Sequence, residues 1–198
     1  NRSVDFTGVQ VNQRKAYGTP LIIPRGDKKQ MISIGAKGVY SYDPYNGKEL
    51  WKATHRGWSI APRPVYGEGL VFTMIDRDRP EMWAIRPNGK GDISKTHIEW
   101  KETKRMPPRA SPLIVNGLLF VVDRNGYISC LEAKTGKSIW QKRMRGRFSA
   151  SPILANDLIY FFNEDFVIIL QYYCNKVIRE LIESQASNYI INFNNIYY

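Results

Sequence analysis

The chain has 198 residues, 43% of them hydrophobic and 13% aromatic, with a formal net charge of +11. Those values exclude a disordered chain and allow a domain with a sizeable core, while the charge favours anionic partners over basic or neutral ones. Cys130 and Cys174 fit no metal-ligand spacing, no apolar run reaches the ~18 residues of a membrane span, and no block of five like charges forms a nucleic-acid-binding tail.

Taken in chain order, short β-rich runs recur with the same punctuation. A small residue followed by Pro opens an apolar run at TPLII (Thr19), APRPVY (Ala61), SPLIV (Ser111) and SPILA (Ser151). An eleven-residue pattern closes the unit: SYDPYNGKELW, ending at Trp51, returns as CLEAKTGKSIW, ending at Trp140. In each copy a small residue precedes an acid by two, a Gly follows the acid by four, and a Trp follows the Gly by four. The period is about 40 residues, the length of a propeller blade. One unit is longer, with DRDRP and RPNGKGDISK between Arg77 and His97 reading as enlarged turns before Trp100.

The clearest unit resolves into four strands, SPLIVN, GLLFVVD, GYISCLE and KSIWQKR. Asn116-Gly117, Arg124-Asn125-Gly126 and Thr135-Gly136 separate them as hairpin turns. Helical spacing of apolar residues is missing from these runs. The expected fold is all-β: a partial β-propeller of about four four-stranded antiparallel blades. Gly47 and Gly136 supply the tight turn, and Trp51, Trp100 and Trp140 are expected to cover the packing between neighbouring blades.

The pattern small-x-[DE]-x-x-[TN]-G-K-x-x-W resembles the tryptophan-docking motif of PQQ-like (quinoprotein alcohol dehydrogenase-like) β-propeller repeat proteins. That superfamily includes quinoprotein alcohol dehydrogenases and the propeller lipoprotein of the bacterial outer-membrane assembly machinery. The resemblance runs from about residue 15 to 165, and is strongest to the uncharacterised bacterial group. It implies a bacterial, periplasmic or otherwise extracytoplasmic setting and a protein-binding scaffold. It also raises PQQ as a cofactor, and a fragment of a PQQ-dependent dehydrogenase as the alternative function. Such an enzyme would offer adjacent cysteines and a carboxylate set for calcium, and no motif in the sequence matches either. Full family propellers have more blades than this chain has unit starts, so a fragment is expected.

The tail departs from the repeat. All 15 Gly, 11 Pro and 5 Trp precede residue 166. Residues 1–165 are therefore expected to be propeller. Residues 166–198 read as a non-propeller segment, either helix plus strand, with CNKVIRELIES at helical spacing, or out-of-frame sequence.

No catalytic constellation emerges: His55 and His97 stand apart, and Gly67-Glu-Gly69 and Gly89-Lys-Gly91 complete no phosphate loop. One constellation points to binding. The segments HRGWSIAP, KRMPPRASP and MRGRFSASP precede the blade-opening prolines. They gather Arg56, Trp58, Arg105, Arg109, Arg145, Arg147 and Phe148 toward one face. Guanidinium groups engage carboxylate, sulfate or phosphate in bidentate fashion, and aromatic rings stack on sugars. The expected ligand is a protein partner or an anion such as an acidic polysaccharide, with no catalysis, no metal and no specific nucleic acid. Open blade edges invite self-association.

Overall fold

The computed structural model describes residues 7, 9–156, 158–164 and 167–171. After a 3-10 turn at Val11–Arg14, every regular element among them is a strand. The first sheet holds β1 (Leu21–Arg25), β2 (Lys28–Gly35), β3 (Gly38–Tyr42) and β4 (Glu49–Thr54). The second spans β5 (Val65–Gly67), β6 (Leu70–Ile75) and β7 (Glu81–Ile85). A detour through β8 (Gly91–Asp92) precedes its last strand, β9 (Ile98–Glu102). The third is β10 (Leu113–Val115), β11 (Leu118–Val122), β12 (Tyr127–Glu132) and β13 (Ser138–Arg143). The fourth contains β14 (Ile153–Ala155), β15 (Leu158–Phe162) and β16 (Val167–Gln171). Apart from β8, each sheet is an antiparallel meander in sequence order. This is a partial propeller. Blades two and three have the expected four strands, blade one gains a fifth, and blade four shows three among the described residues.

Local chemistry explains the meanders. At the first hairpin of blade three, Asn116 and Gly117 both take positive φ, 46° and 78°. That is the twist a two-residue turn needs to join right-twisted strands. Strands β6 (LVFTMI) and β11 (LLFVV) are uninterrupted apolar runs rather than alternating ones, and β6 is buried along its whole length. Neighbouring blades cover both of their faces, which removes any reason to alternate. Side chains from blades one, two and three meet in one core, where Ile34, Phe72, Met74, Leu119 and Val121 are buried together. A second core joins blades three and four through Phe120, Ile128, Phe148, Ile159 and Phe161. Full burial of each such side chain contributes roughly 1.5–3 kcal/mol.

The small residue of the closing motif has a steric reason. Ser41 lies opposite Trp51, Ala84 opposite Trp100 and Cys130 opposite Trp140, and in all three the register slips immediately afterwards. A small side chain across the pair leaves room for the indole. The slip then carries the chain into the turn. There Gly47 N–H donates to the Asp43 carbonyl and Gly136 N–H to that of Glu132, 2.9 and 2.8 Å. Blade two has Arg86 where the others have an acid. Its turn is replaced by the 86–97 detour, held by an Arg86–Glu99 ion pair and by Arg86 donating to the Thr96 carbonyl.

Strand β16 lies beyond residue 165 and continues the fourth sheet, with Ile159 opposite Leu170. The helix expected over CNKVIRELIES and the out-of-frame reading fall on residues outside the described ones.

Candidate functional site

In a meander, loops alternate between two ends of the blade. The β2–β3, β6–β7 and β11–β12 turns and the segments between blades therefore share one end. The β1–β2, β5–β6 and β10–β11 turns and the closing-motif turns share the other. Contacts confirm the grouping: Lys37 N–H donates to the Gly57 carbonyl, and Phe148 N–H to that of Arg124. The first end carries Arg56, Arg77, Arg79, Arg105, Arg109, Arg124, Arg145 and Arg147. Cations on the second are mostly lysines, Lys48, Lys90, Lys95, Lys134 and Lys137, alongside Arg86. Arginine presents a planar fork of donors where lysine presents a point charge. The two ends differ in chemistry as well as in charge.

Blade edges are latched at the arginine end. Ser111 Oγ accepts from Arg63 N–H at 2.9 Å, and Ser151 Oγ accepts from Ser111 N–H at 2.8 Å. The serines before Pro112 and Pro152 thus tie one blade to the next, and β5 and β10 come into contact along the inner edge. Gly67 is required there because a Cβ would run into the Ile114 side chain.

Between blades three and four, Pro108, Arg109, Arg124, Arg147, Phe148, Ser149 and Glu164 line a cleft of about 130 Å³. The structure brings together three of the residues expected at the site: Arg109, Arg147 and Phe148. Phe148 is buried and forms its wall. The other expected residues lie elsewhere. Arg105 takes a positive φ of 60° and lays its guanidinium 3.3 Å from the centre of the Tyr127 ring, with Arg143 5.5 Å from the same ring. Arg56 and half-buried Trp58 stand in the segment between blades one and two, where the Arg56 carbonyl accepts from Lys37 Nζ at 2.9 Å. The Arg145 carbonyl accepts from Asn163 Nδ2.

Sequence reasoning missed Arg124 and Glu164. The signal was available, because Asp123-Arg124 occupies the same hairpin in blade three as Asp76-Arg77 in blade two. Both acids are engaged in their own turns. Asp76 Oδ1 accepts from Asp78 N–H, and Asp123 Oδ1 from Asn125 and Tyr127 N–H. They fix the turn, and no ion pair among the described residues engages the arginine beside them.

The tryptophans bridge blades differently. Trp51 is fully buried, and its Nε1 donates to Gln30 Oε1 at 3.0 Å and to the Pro87 carbonyl of the next blade's detour at 3.1 Å. Half-buried Trp100 donates to the Ala133 carbonyl of blade three at 3.0 Å, its ring lying over Gly136. A Cβ there would stand 2.7 Å from that ring. Half-buried Trp140 has its Nε1 buried with no hydrogen-bond partner among the described residues.

Among the described residues no three His, Cys, Asp or Glu side chains are grouped to hold a metal ion. Cys130 is a buried lone thiol pushed up to about 12 by burial, which makes it inert. These residues do not fit the calcium and adjacent-cysteine set that the family resemblance implies for a quinone enzyme.

Residues 35–170 match the protein family described as "Outer membrane protein assembly factor BamB". The chain belongs to this family. The crystal structure of BamB from Moraxella catarrhalis is similar at a TM-score of 0.60 and 15% identity, over 78% of this chain and 46% of that one. Sqt1 from Saccharomyces cerevisiae gives 0.61 and 11% over the same shares. The quinohemoprotein alcohol dehydrogenase ADHIIG from Pseudomonas putida HK5 gives 0.58 and 15%, over 80% of this chain and 33% of that one. The chain spans less than half the length of these structures, and at such identities the likeness is one of fold. No curated protein sequence matches the chain.

Proposed function

We propose that this chain is a non-catalytic recognition module of the bacterial cell envelope, and that it holds an acidic partner protein against the arginine-rich end of its blades. One observation carries the reading. Arg109, Arg124 and Arg147 converge on one cleft, and no side-chain hydrogen bond or ion pair engages them among the described residues. Positive charges held close together repel, so a fold that gathers three without an internal partner is arranged for an external one. The family's description as an assembly factor supports a protein as that partner. The tryptophans and interblade serines then act as docking elements that hold the blades in place.

The test compares two triple variants of equal charge loss. Arg105, Arg109 and Arg147 to Gln removes cations from the proposed binding end, and Lys48, Lys95 and Lys137 to Gln removes them from the other. Binding of a fluorescent poly-glutamate peptide should fall at least about 10-fold more in the first, since one charge-assisted contact is worth roughly 1.5–3 kcal/mol. Equal losses that fade together with salt would reduce the attraction to diffuse charge. Retention of quinone absorbance after adding PQQ and calcium, with dye reduction by alcohols, would instead support the dehydrogenase reading.

A further inference from the structure

The cleft's dimensions and lining say more than that it is basic. At about 130 Å³ the cleft is small beside the cavities that take cofactors. That is room for one carboxylate, sulfate or phosphate group, and too little for a sugar ring or a redox cofactor, whose pockets begin near ~300 Å³. Three arginines line it from three separate segments: Arg109 before β10, Arg124 from the β11–β12 turn and Arg147 before β14. The turn that carries Arg124 is fixed by Asp123, and the segment that carries Arg147 is anchored by buried Phe148, whose N–H donates to the Arg124 carbonyl. Donors on a fixed frame lose little entropy when they bind.

Among the described residues Glu164 is the one acid on this wall, and none of their ion pairs includes it. A carboxylate there repels any incoming anion and offers the three guanidiniums an internal alternative.

We infer that the cleft between blades three and four is a seat for a single oxyanion, with Arg124 as an essential donor and Glu164 as a built-in competitor that weakens binding. The inference rests on the reading of the arginine end as the binding end, and sharpens it from a charged face to one defined position. In a protein partner the occupant would be one Asp or Glu side chain or a chain-terminal carboxylate. A free inorganic anion would fill the same place.

The experiment titrates the full chain with sodium sulfate and, separately, with a short peptide bearing a single Glu. Binding is followed by calorimetry at constant ionic strength. Arg124→Gln should weaken both ligands by about 10-fold, the loss of one charge-assisted contact near 1.4 kcal/mol. Glu164→Gln should tighten both several-fold. Arg77→Gln and Asp78→Asn, at the same end but away from the cleft, serve as controls, and an unchanged thermal midpoint verifies folding of every variant. Binding of the peptide but not sulfate, with both variant effects present, supports the seat and identifies a carboxylate as its occupant; sulfate alone identifies a free anion. If Arg124→Gln matches Arg77→Gln, or Glu164→Gln matches Asp78→Asn, the single seat is overturned. The broader reading survives that result if the poly-glutamate peptide still distinguishes the two triple variants, and falls if it does not.

Discussion

The junction between blades one and two and the junction between blades three and four are built from the same repeat, yet one is covered by an added strand and the other opens into an arginine-lined cleft. At the first, Trp51 is fully buried, and Gln30 accepts from Ser41 and Trp51 while donating to the Pro87 carbonyl. Arg25 is tied to the Gly89 carbonyl at 3.1 Å, and β8 adds itself in parallel beside β4, with Trp51 opposite Gly91. The detour of blade two thereby seals the outer edge of blade one, as exposed strand edges require. At the other junction Trp140 keeps an unpartnered Nε1 among the described residues, and three arginines face a cleft. Unpartnered ring nitrogens do not separate the two, because Trp83 Nε1 and both ring nitrogens of His55 are also buried without a hydrogen-bond partner at the first junction among the described residues. What separates them is the covering strand at the first and the arginine-lined cleft at the second.

The largest effect should follow from breaking the sealed junction. Trp51→Ala leaves a cavity and removes one of the hydrogen bonds to Gln30, and should cost ~3–5 kcal/mol in a urea melt. Half-buried Trp140→Ala should cost clearly less. Equal costs would erase the distinction between the junctions.

Next in size is a pH effect confined to the sealed junction. His55 packs edge-on against Trp83, ring centres 5.9 Å apart. Burial lowers its pKa from 6.5 to about 4, against the pull of the Asp76 carboxylate and with Lys37 adding to the depression. The unfolded chain takes up this proton near pH 6.5 and the folded chain only near 4. The stability contribution is therefore fully present above pH 6.5 and is lost as pH falls toward 4, by up to about 3 kcal/mol. Unfolding midpoints at pH 7.5 and 4.5 should differ in the wild type and converge in His55→Phe. An unchanged pH dependence in that variant would assign the effect to other groups.

The smallest effect separates the two indoles by their N–H alone. Trp51→Phe removes one donor from Gln30 Oε1 and from the Pro87 carbonyl, each of which keeps another, at a cost of about 0.5–1.5 kcal/mol. Trp140→Phe gives up no hydrogen bond among the described residues. Its cost should stay below that of Trp51→Phe, and the reverse order would mean that Trp140 has a partner of equal worth.

Much of the fold was legible because blade construction is local. The Asn116-Gly117 and Thr135-Gly136 turns, the uninterrupted apolar runs of the second strands and the small residue across from each Trp are all set within one repeat. What escaped is what joins segments far apart in sequence. Nothing in RPNGKGDISK announces that Gly91 and Asp92 pair in parallel with β4, since the hydrogen-bonding edge they complete lies some forty residues upstream. The site divided in the same way. Arg109, Arg147 and Phe148 were visible because they precede blade openings, whereas Arg124 and Glu164 reach the cleft through the turns between β11–β12 and β15–β16. Alternation of loop ends brings those turns beside the interblade segments. Arg105 was expected in the cleft on spacing alone, but stacks on Tyr127, whose ring offers a closer negative surface.

The central proposal is that binding belongs to the arginine-lined junction between blades three and four. Amide chemical shifts of the full ¹⁵N-labelled chain, followed through a titration with the poly-glutamate peptide, test it most directly. The account predicts shifts concentrated at Arg109, Arg124, Phe148 and Ser149, with Gly89 to Ser94 at the sealed junction unmoved. Shifts spread evenly over both ends, or centred on Lys48, Lys134 and Lys137, would contradict it.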